Sequence, residues 1–475
     1  MNRILFIQII VSFFSILPCD ASSQHATGPI EVEARKWSRD KQRNIVYSDW
    51  MPFRTQTVSG LPFRLRPDSL TSVTGAWQGL RFRATGFFRT EVRDGRHWMV
   101  DPEGYAFLAA ALNSVRKESS PQQKRSYAEK FGDELAWMSS VRDLMDRSGL
   151  NMLGSWSDTA VIRRFNRRYP ERAIPYSTQL SMLAGYAQQR RRQDTATKDW
   201  PIPAFIFESA FADFCRQRAE TQLTGSREDR WLTGHFSDNE LPFQTPMLRD
   251  LLRIADARSE GHRMAMQWVQ QHGLDTTAIS TAEEERFAGQ VASVYYEKVS
   301  RAIKTADPNH LYFGSRLHAA AKNNPAVLEA CARHADVISI NYYGNWAVTD
   351  AEAVRWSALP KPFMITEFYT KAEDSGLPNI TGAGWLVRTQ RDRAAHYQHF
   401  CLKLLTIPNA VGWHWFRYQD NDPLDPLSDP SNNDSNKGVI DNRYNPYLEL
   451  TEGMRALNAI RYGLAIRYLQ TMPVK

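Results

Sequence analysis

Short apolar runs alternate with longer segments of helical period through most of this chain. The runs fall at 107–113, 151–156, 174–179, 230–234, 311–316, 337–343, 362–369 and 410–416. Most are continuously hydrophobic rather than alternating, which is the pattern of strands covered on both faces. Between them, apolar residues recur at helical spacing over 134–147 (closed by Gly149), 158–169, 207–223, 283–306, 326–334, 351–357 and 388–405. Eight such strands alternating with helices predict a (β/α)8 TIM barrel, an α/β fold. No internal repeat points to a solenoid or propeller. The stretch 181–230 is longer than a crossover needs and reads as an insertion above the core.

Ahead of the barrel, 86–100 reads as a β-hairpin turning at Asp94-Gly95, followed by a second turn at Asp101-Pro102-Glu103-Gly104. Residues 22–84 show no strong period and suggest a tail with a few short strands packed on the main domain. The chain opens with one positive charge, an apolar run over 4–17 and then Pro18-Cys19-Asp20-Ala21. That run is shorter than the roughly 20 residues a membrane span needs and fits a secretory signal peptide. The expected organisation is a signal peptide at 1–21, a short β-rich N-terminal extension at 22–104 and the catalytic barrel at 105–475. Export to the periplasm or the extracellular space follows, with no transmembrane segment in the mature chain. Lipid anchoring at Cys19 is the alternative, one that Pro18 fits poorly.

Composition adds little to the fold and more to the class of ligand. A chain of 475 residues, 42% of them hydrophobic, can bury a large core. Its 14 Trp, 18 Tyr and 23 Phe suit stacking on sugars, although large cores use aromatics too. The net charge of +7 includes basic clusters at Arg163-Arg164, Arg167-Arg168 and Arg190-Arg191-Arg192. These read as solvated helix faces, or else as attraction to a sulfated or acidic polysaccharide. No nucleic-acid motif accompanies them. The expected partner is therefore a polysaccharide or oligosaccharide and not a nucleic acid. Cys215, Cys331 and Cys401 are too scattered for a disulfide framework or a metal cluster. The acidic loop of Asp420, Asp422, Asp425, Asp429 and Asp434 could suggest calcium, but its Pro and Asn content fits a solvated lid. No metal or cofactor is required.

The chemistry gathers where the apolar runs end. The fourth run leads into His235-Phe236-Ser237-Asp238-Asn239-Glu240, and the seventh contains Glu367. Acidic groups are costly to bury and normally sit where a ligand or an opposite charge needs them. The bland alternatives are turn chemistry at Asp238-Asn239 and an ion pair of Glu367 with Arg316. In a barrel, however, the C-terminal strand ends form the active site. Asn113, Trp156, Arg316, His318, Asn341, Tyr342, Tyr343, Tyr369, Trp413 and His414 are found there as well. Two carboxylates about 5–5.5 Å apart are what retaining glycoside hydrolysis uses.

These residues resemble a known group. Asn239-Glu240 at the end of the fourth strand and Glu367 on the seventh are similar to the retaining glycosidases of clan A, in which an Asn precedes the acid/base Glu. More narrowly, the chain resembles glycoside hydrolase family 50, the β-agarases. The resembling segments are 86–104, 151–157, 236–241, 314–318, 365–368 and Asn436-Lys437-Gly438. The resemblance implies Glu240 as acid/base, Glu367 as nucleophile and Asn239 on the sugar 2-hydroxyl. It further implies Tyr342 or Tyr343 bonded to the nucleophile and Trp413 or Trp415 in the sugar platform. Arg316 and His318 would lie near the cleft, and Asn113 and Trp156 would line it. The family's agarases usually carry a longer domain ahead of the barrel than this chain does. The implied activity is hydrolysis of a β-linked, agar-type galactan. Another polysaccharide, or a catalytically silent sugar-binding barrel, are the alternatives. The chemistry asks for opposed environments, with Glu240 kept protonated and Glu367 ionised.

Overall fold

The computed structural model describes residues 27–42, 44–68, 70–428 and 432–471. The expected signal peptide, Cys19 and Asp429 lie outside the described residues. Eight parallel strands form one curled sheet: β1 (Ala109–Leu112), β2 (Met152–Leu153), β3 (Tyr176–Gln179), β4 (Leu232–Phe236), β5 (Leu311–Tyr312), β6 (Ile338–Asn341), β7 (Phe363–Phe368) and β8 (Ala410–Trp415). Their order is β5-β4-β3-β2-β1-β8-β7-β6. A parallel bridge between Leu317 and Ile340 joins the two ends, with the Asn341 N–H donating to the Leu317 carbonyl at 2.9 Å. The fold is a (β/α)8 barrel with a β-rich N-terminal region.

Helices Glu134–Ser148, Thr159–Arg168, Thr281–Ala306, Pro325–His334, Asp350–Ser357 and Gln390–Leu405 cover the outside. Their starts carry the expected caps. Asp133, Ser280 and Asn324 accept backbone N–H groups of the first turn, and Thr349 with Glu352 forms a capping box. The long β3–β4 segment holds helices Met182–Gln193 and Ser209–Leu223. Helices Met247–Leu252 and Glu260–His272, between β4 and β5, were not foreseen from the pattern. The first is too short for its period to register, and the second buries only Gly261 and Ala265.

The N-terminal region contacts both ends of the barrel. Hairpin strands Arg89–Arg93 and Arg96–Val100 turn at Asp94-Gly95, both with positive φ. With Trp77–Arg81 and Tyr105–Phe107 they form a four-stranded sheet. That sheet plugs the N-terminal end, where Phe88, Met99 and Phe107 pack against Met152, Phe236, Phe313 and Met364. At the mouth, strands Ile30–Arg35 and Met51–Thr55 share a second sheet with Trp385–Val387 and Thr370–Ala372 from the loop after β7. No helix among the described residues is long and apolar enough to cross a membrane.

Gly234 shows how tightly β4 is seated. A Cβ there would stand 2.3 Å from the Leu311 carbonyl oxygen and 2.8 Å from the Phe313 ring. Backbone cannot give way as a side-chain tip can. Gly234→Val is therefore expected to destabilise the protein by about 3 kcal/mol or more. Thermal unfolding and soluble yield would show this as a large loss; a wild-type melting temperature would contradict it.

Candidate active site

Glu240 is held by its backbone and by one amide. After β4, the Ser237 hydroxyl donates to the Gly314 carbonyl at 3.0 Å. Asp238 is fully buried and accepts the Leu183 and Ala184 N–H groups (2.9 and 3.0 Å) and the Tyr295 hydroxyl (2.7 Å). Burial pushes its carboxyl up to about 6, against those hydrogen bonds. It shapes the loop and fixes the start of helix Met182–Gln193. Glu240 then takes a left-handed φ of 53°, and its N–H points to the Ser315 and Arg316 carbonyls. The Asn341 amide donates to Glu240 Oε1 at 2.8 Å and to Asn239 Oδ1 at 3.2 Å, while Asn341 Oδ1 accepts the Thr366 hydroxyl. His318 Nδ1 lies 3.8 Å from the same Glu240 oxygen. The Glu240 side chain is 31% exposed.

Glu367 has the opposite surroundings. Its side chain is 7% exposed, with Arg316 Nη2 donating to Oε1 at 2.6 Å and the Tyr343 hydroxyl to Oε2 at 2.5 Å. The ion pair that stood as the bland reading of Glu367 is present, and it lies inside the site. Burial raises the Glu367 carboxyl above its ordinary range, and the Glu240 charge adds to this. Arg316, Tyr343 and Lys437 pull in the other direction. Arg316 is completely buried, and its guanidinium also donates to the Thr366 carbonyl and faces the Trp156 ring at 5.8 Å. Trp156 is half-buried at the site with a positive φ of 67°.

Four expectations need correction. Tyr342 does not reach Glu367: its hydroxyl donates to Glu352 (2.7 Å) and the Ala347 carbonyl (2.9 Å) on the outer side of β6. Adjacent residues at a strand end face opposite ways, so Tyr343 alone takes that role. Trp413 and Trp415 form no sugar platform, being 2% and 0% exposed. Their indole N–H groups donate to the Tyr397 hydroxyl and the Lys437 carbonyl. Asn113 does not line a cleft either. It is fully buried, donating to the Thr366 carbonyl at 2.7 Å and facing His414 Nδ1. The acidic side chains of the 420–434 loop are likewise not solvated: Asp420, Asp422, Asp425 and Asp434 are all buried, while Leu424 and Leu427 between them are exposed. Asp420 accepts the Gly438 N–H and Tyr447 hydroxyl, and Asp434 the Ile380 and Thr381 N–H groups.

Two residues given no role from the sequence belong here. Asn341 orients Glu240. Lys437, 1% exposed, sits over the Tyr369 and Phe416 rings (5.5 and 5.6 Å) and puts its charge on Glu367. Both lay in segments singled out in the sequence, but only folding brings them to the carboxylates. Among the described residues, His235, Asp307 and His310 could in principle surround a cation. The other ring nitrogens are engaged with Thr178 and the Asp229 carbonyl, and both histidines already bond Asp307. The cluster is a structural network at the start of β5.

The pH dependence of stability follows from the Glu367 shift. A carboxyl raised on folding contributes stability that is present below its ordinary range and lost as pH rises through the raised value. Arg316→Met removes the opposing charge and enlarges the shift. The deficit in melting temperature of this variant is expected to widen as pH goes from about 4 to about 8. A constant deficit over that range would contradict the charge argument.

No protein-family model matches the chain. It is 23% identical over 495 residues to Beta-agarase B and 26% identical over 382 residues to Beta-agarase A, both from Vibrio sp. (strain JT0107). These matches cover 83% and 70% of this chain but 50% and 37% of the agarases, so the chain spans about half or less of these curated relatives. The crystal structure of BpGH50 superposes with a TM-score of 0.80 at 27% identity, covering 93% of this chain and 96% of that one.

Proposed function

We propose that this chain, similar as it is to β-agarases and to a glycoside hydrolase family 50 structure, is a retaining glycoside hydrolase. In this reading it cleaves a β-linked, agar-type galactan and acts outside the cytoplasm. One observation carries the reading. A partly exposed Glu240, bonded to a neutral amide, lies near enough for its charge to act on a buried Glu367 that is held by a guanidinium and a phenol.

The chemistry needs the two carboxyl groups in different states. Glu367 as carboxylate attacks the anomeric carbon while the Glu240 carboxyl gives its proton to the departing glycosidic oxygen. A glycosyl ester forms on Glu367. Glu240, now a carboxylate, takes a proton from water. The water oxygen bonds the anomeric carbon, and Glu367 leaves as carboxylate. Two inversions retain the β configuration. Arg316 and Tyr343 aim Glu367 and favour its ionised form, opposing in part the burial that raises its carboxyl. Asn239, whose carbonyl is turned to Asn341, keeps its amide N–H groups for the sugar 2-hydroxyl. His318 and Trp156 line the cleft beside the two carboxylates.

Glu240→Gln and Glu367→Gln should each lower agarose hydrolysis by about a thousandfold or more. The partly exposed Glu240→Gln should keep a melting temperature near wild type, whereas Glu367→Gln leaves the buried Arg316 guanidinium without its carboxylate and should lower it. Azide added to Glu240→Ala should yield a β-glycosyl azide from an activated aryl β-galactoside. Near-wild-type turnover in either Gln variant, or an α product on native turnover followed by NMR, would sink the mechanism. Tyr343→Phe should shift the acidic limb of kcat/KM to higher pH, because it removes a hydrogen bond to the ionised form of Glu367.

A further inference from the structure

A basic groove adjoins the mouth of the barrel on the β3–β4 side. It encloses about 1050 Å³ and lies between helices Met182–Gln193 and Ser209–Leu223, with no acidic side chain among its lining residues. Arg191, Arg192 and Arg218 line it together with Gln188, Gln189 and Gln193. Its floor begins at Ala184 and Gly185, and the Ala184 N–H is bonded to the carboxylate of Asp238, two residues before Glu240. Through that bond the groove adjoins the loop that carries Glu240.

Arg191 and Arg218 are fixed without a direct ion pair, although the Arg218 charge is felt by the buried Asp238 carboxyl. Arg218 Nε donates to the Leu180 carbonyl at 2.6 Å, and its guanidinium stands over the Phe214 ring at 5.5 Å. It lies so close to Gly185 that a Cβ there would come within 3.2 Å of Nη1. Arg191 Nη2 donates to the Trp200 carbonyl at 2.6 Å, and its guanidinium faces the Phe205 ring at 5.6 Å. Arg192 is exposed. None of the three has a carboxylate ion-pair partner among the described residues. The neighbouring Arg190, by contrast, is tied to Glu208 at 2.9 Å and to Asp194. A solvated helix face needs no arginine from a second helix, and no carbonyl and ring to hold it. Carbonyls and rings set the direction of a guanidinium and leave its full charge and remaining N–H donors for an oxyanion.

We propose that this groove is a distal subsite for a sulfated galactan, whose sulfate esters are held by Arg191, Arg192 and Arg218 while the glutamines bond ring hydroxyls. The assignment rests on the galactan reading of the catalytic site for the sugar, and on the groove alone for the anion. Affinity electrophoresis of the full chain in gels containing sulfated galactan, neutral agarose or a polyuronate tests it without turnover. The native protein should be retarded by the sulfated chain, with an apparent affinity falling about tenfold or more between about 0.05 and 0.5 M NaCl. The Arg191→Gln, Arg192→Gln, Arg218→Gln triple variant should lose that retardation and keep its retardation by agarose. The exposed single variant Arg192→Gln, which threatens no packing, should lose part of it. Retardation of the triple variant equal to native would overturn the proposal, as would equal retardation of the native protein by the polyuronate. Arginine-dependent retardation in a protein that hydrolyses no galactan would leave the groove standing and remove the hydrolase reading. Normal hydrolysis without that retardation would do the reverse.

Discussion

The buried pair of Arg316 and Glu367 is the contact on which the rest of this architecture depends. A carboxylate at 7% exposure is tolerable only with an opposite charge and hydrogen bonds in place. Arg316 supplies both from a left-handed turn just after β5, where its N–H donates to the Ser339 hydroxyl. The next residue, Leu317, makes the bridge that closes the barrel against β6. Barrel closure and delivery of the guanidinium are thus one structural event. The Thr366 carbonyl, the peptide just before Glu367, accepts from both Arg316 and Asn113. Strands β1, β5 and β7 are pinned together at that point.

Around this pair, one cleft maintains two different carboxyl environments. Glu240 touches solvent and is bonded to a neutral amide, whereas Glu367 is enclosed by Arg316, Tyr343 and the charge of Lys437. The N-terminal region belongs to the same support system. The Lys36 ammonium donates to the Tyr343 and Gly344 carbonyls, and Trp37 Nε1 donates to the Gly382 carbonyl. Tyr343 is therefore held at its backbone from the extension and at its hydroxyl by Glu367. A region that looks peripheral in sequence buttresses a side chain bonded to Glu367.

The aromatic residues teach a different lesson. Their abundance suggested sugar stacking, yet Trp413, Trp415, Trp137 and Trp356 lie fully or almost fully buried in the layer between strands and helices. The basic runs went the other way. Arg190-Arg191-Arg192 read as a solvated helix face or as an attraction to an anionic polysaccharide, and two of its three members line a groove that Arg218 completes from another helix. In both cases composition gave the residue type and was silent about direction.

The sequence by itself determined the class of fold and placed two acidic residues, Glu240 and Glu367, at the ends of buried strands. Continuous apolar runs spaced by helical segments leave few alternatives to a parallel barrel, and acidic residues at the ends of buried strands are too costly to be incidental. What only the tertiary structure decided was which way each neighbouring side chain turned. Tyr343 reaches Glu367 while Tyr342 turns outward to Glu352, although the two are adjacent and chemically alike. Asn113 serves a strand backbone rather than a ligand, Asn341 orients Glu240, and Lys437 arrives from beyond β8. The physical reason is that a strand alternates faces at every residue and β-bulges shift that alternation, as between Ile340 and Asn341 in β6. Register is set by packing against neighbouring strands, and that information is distributed over the whole barrel.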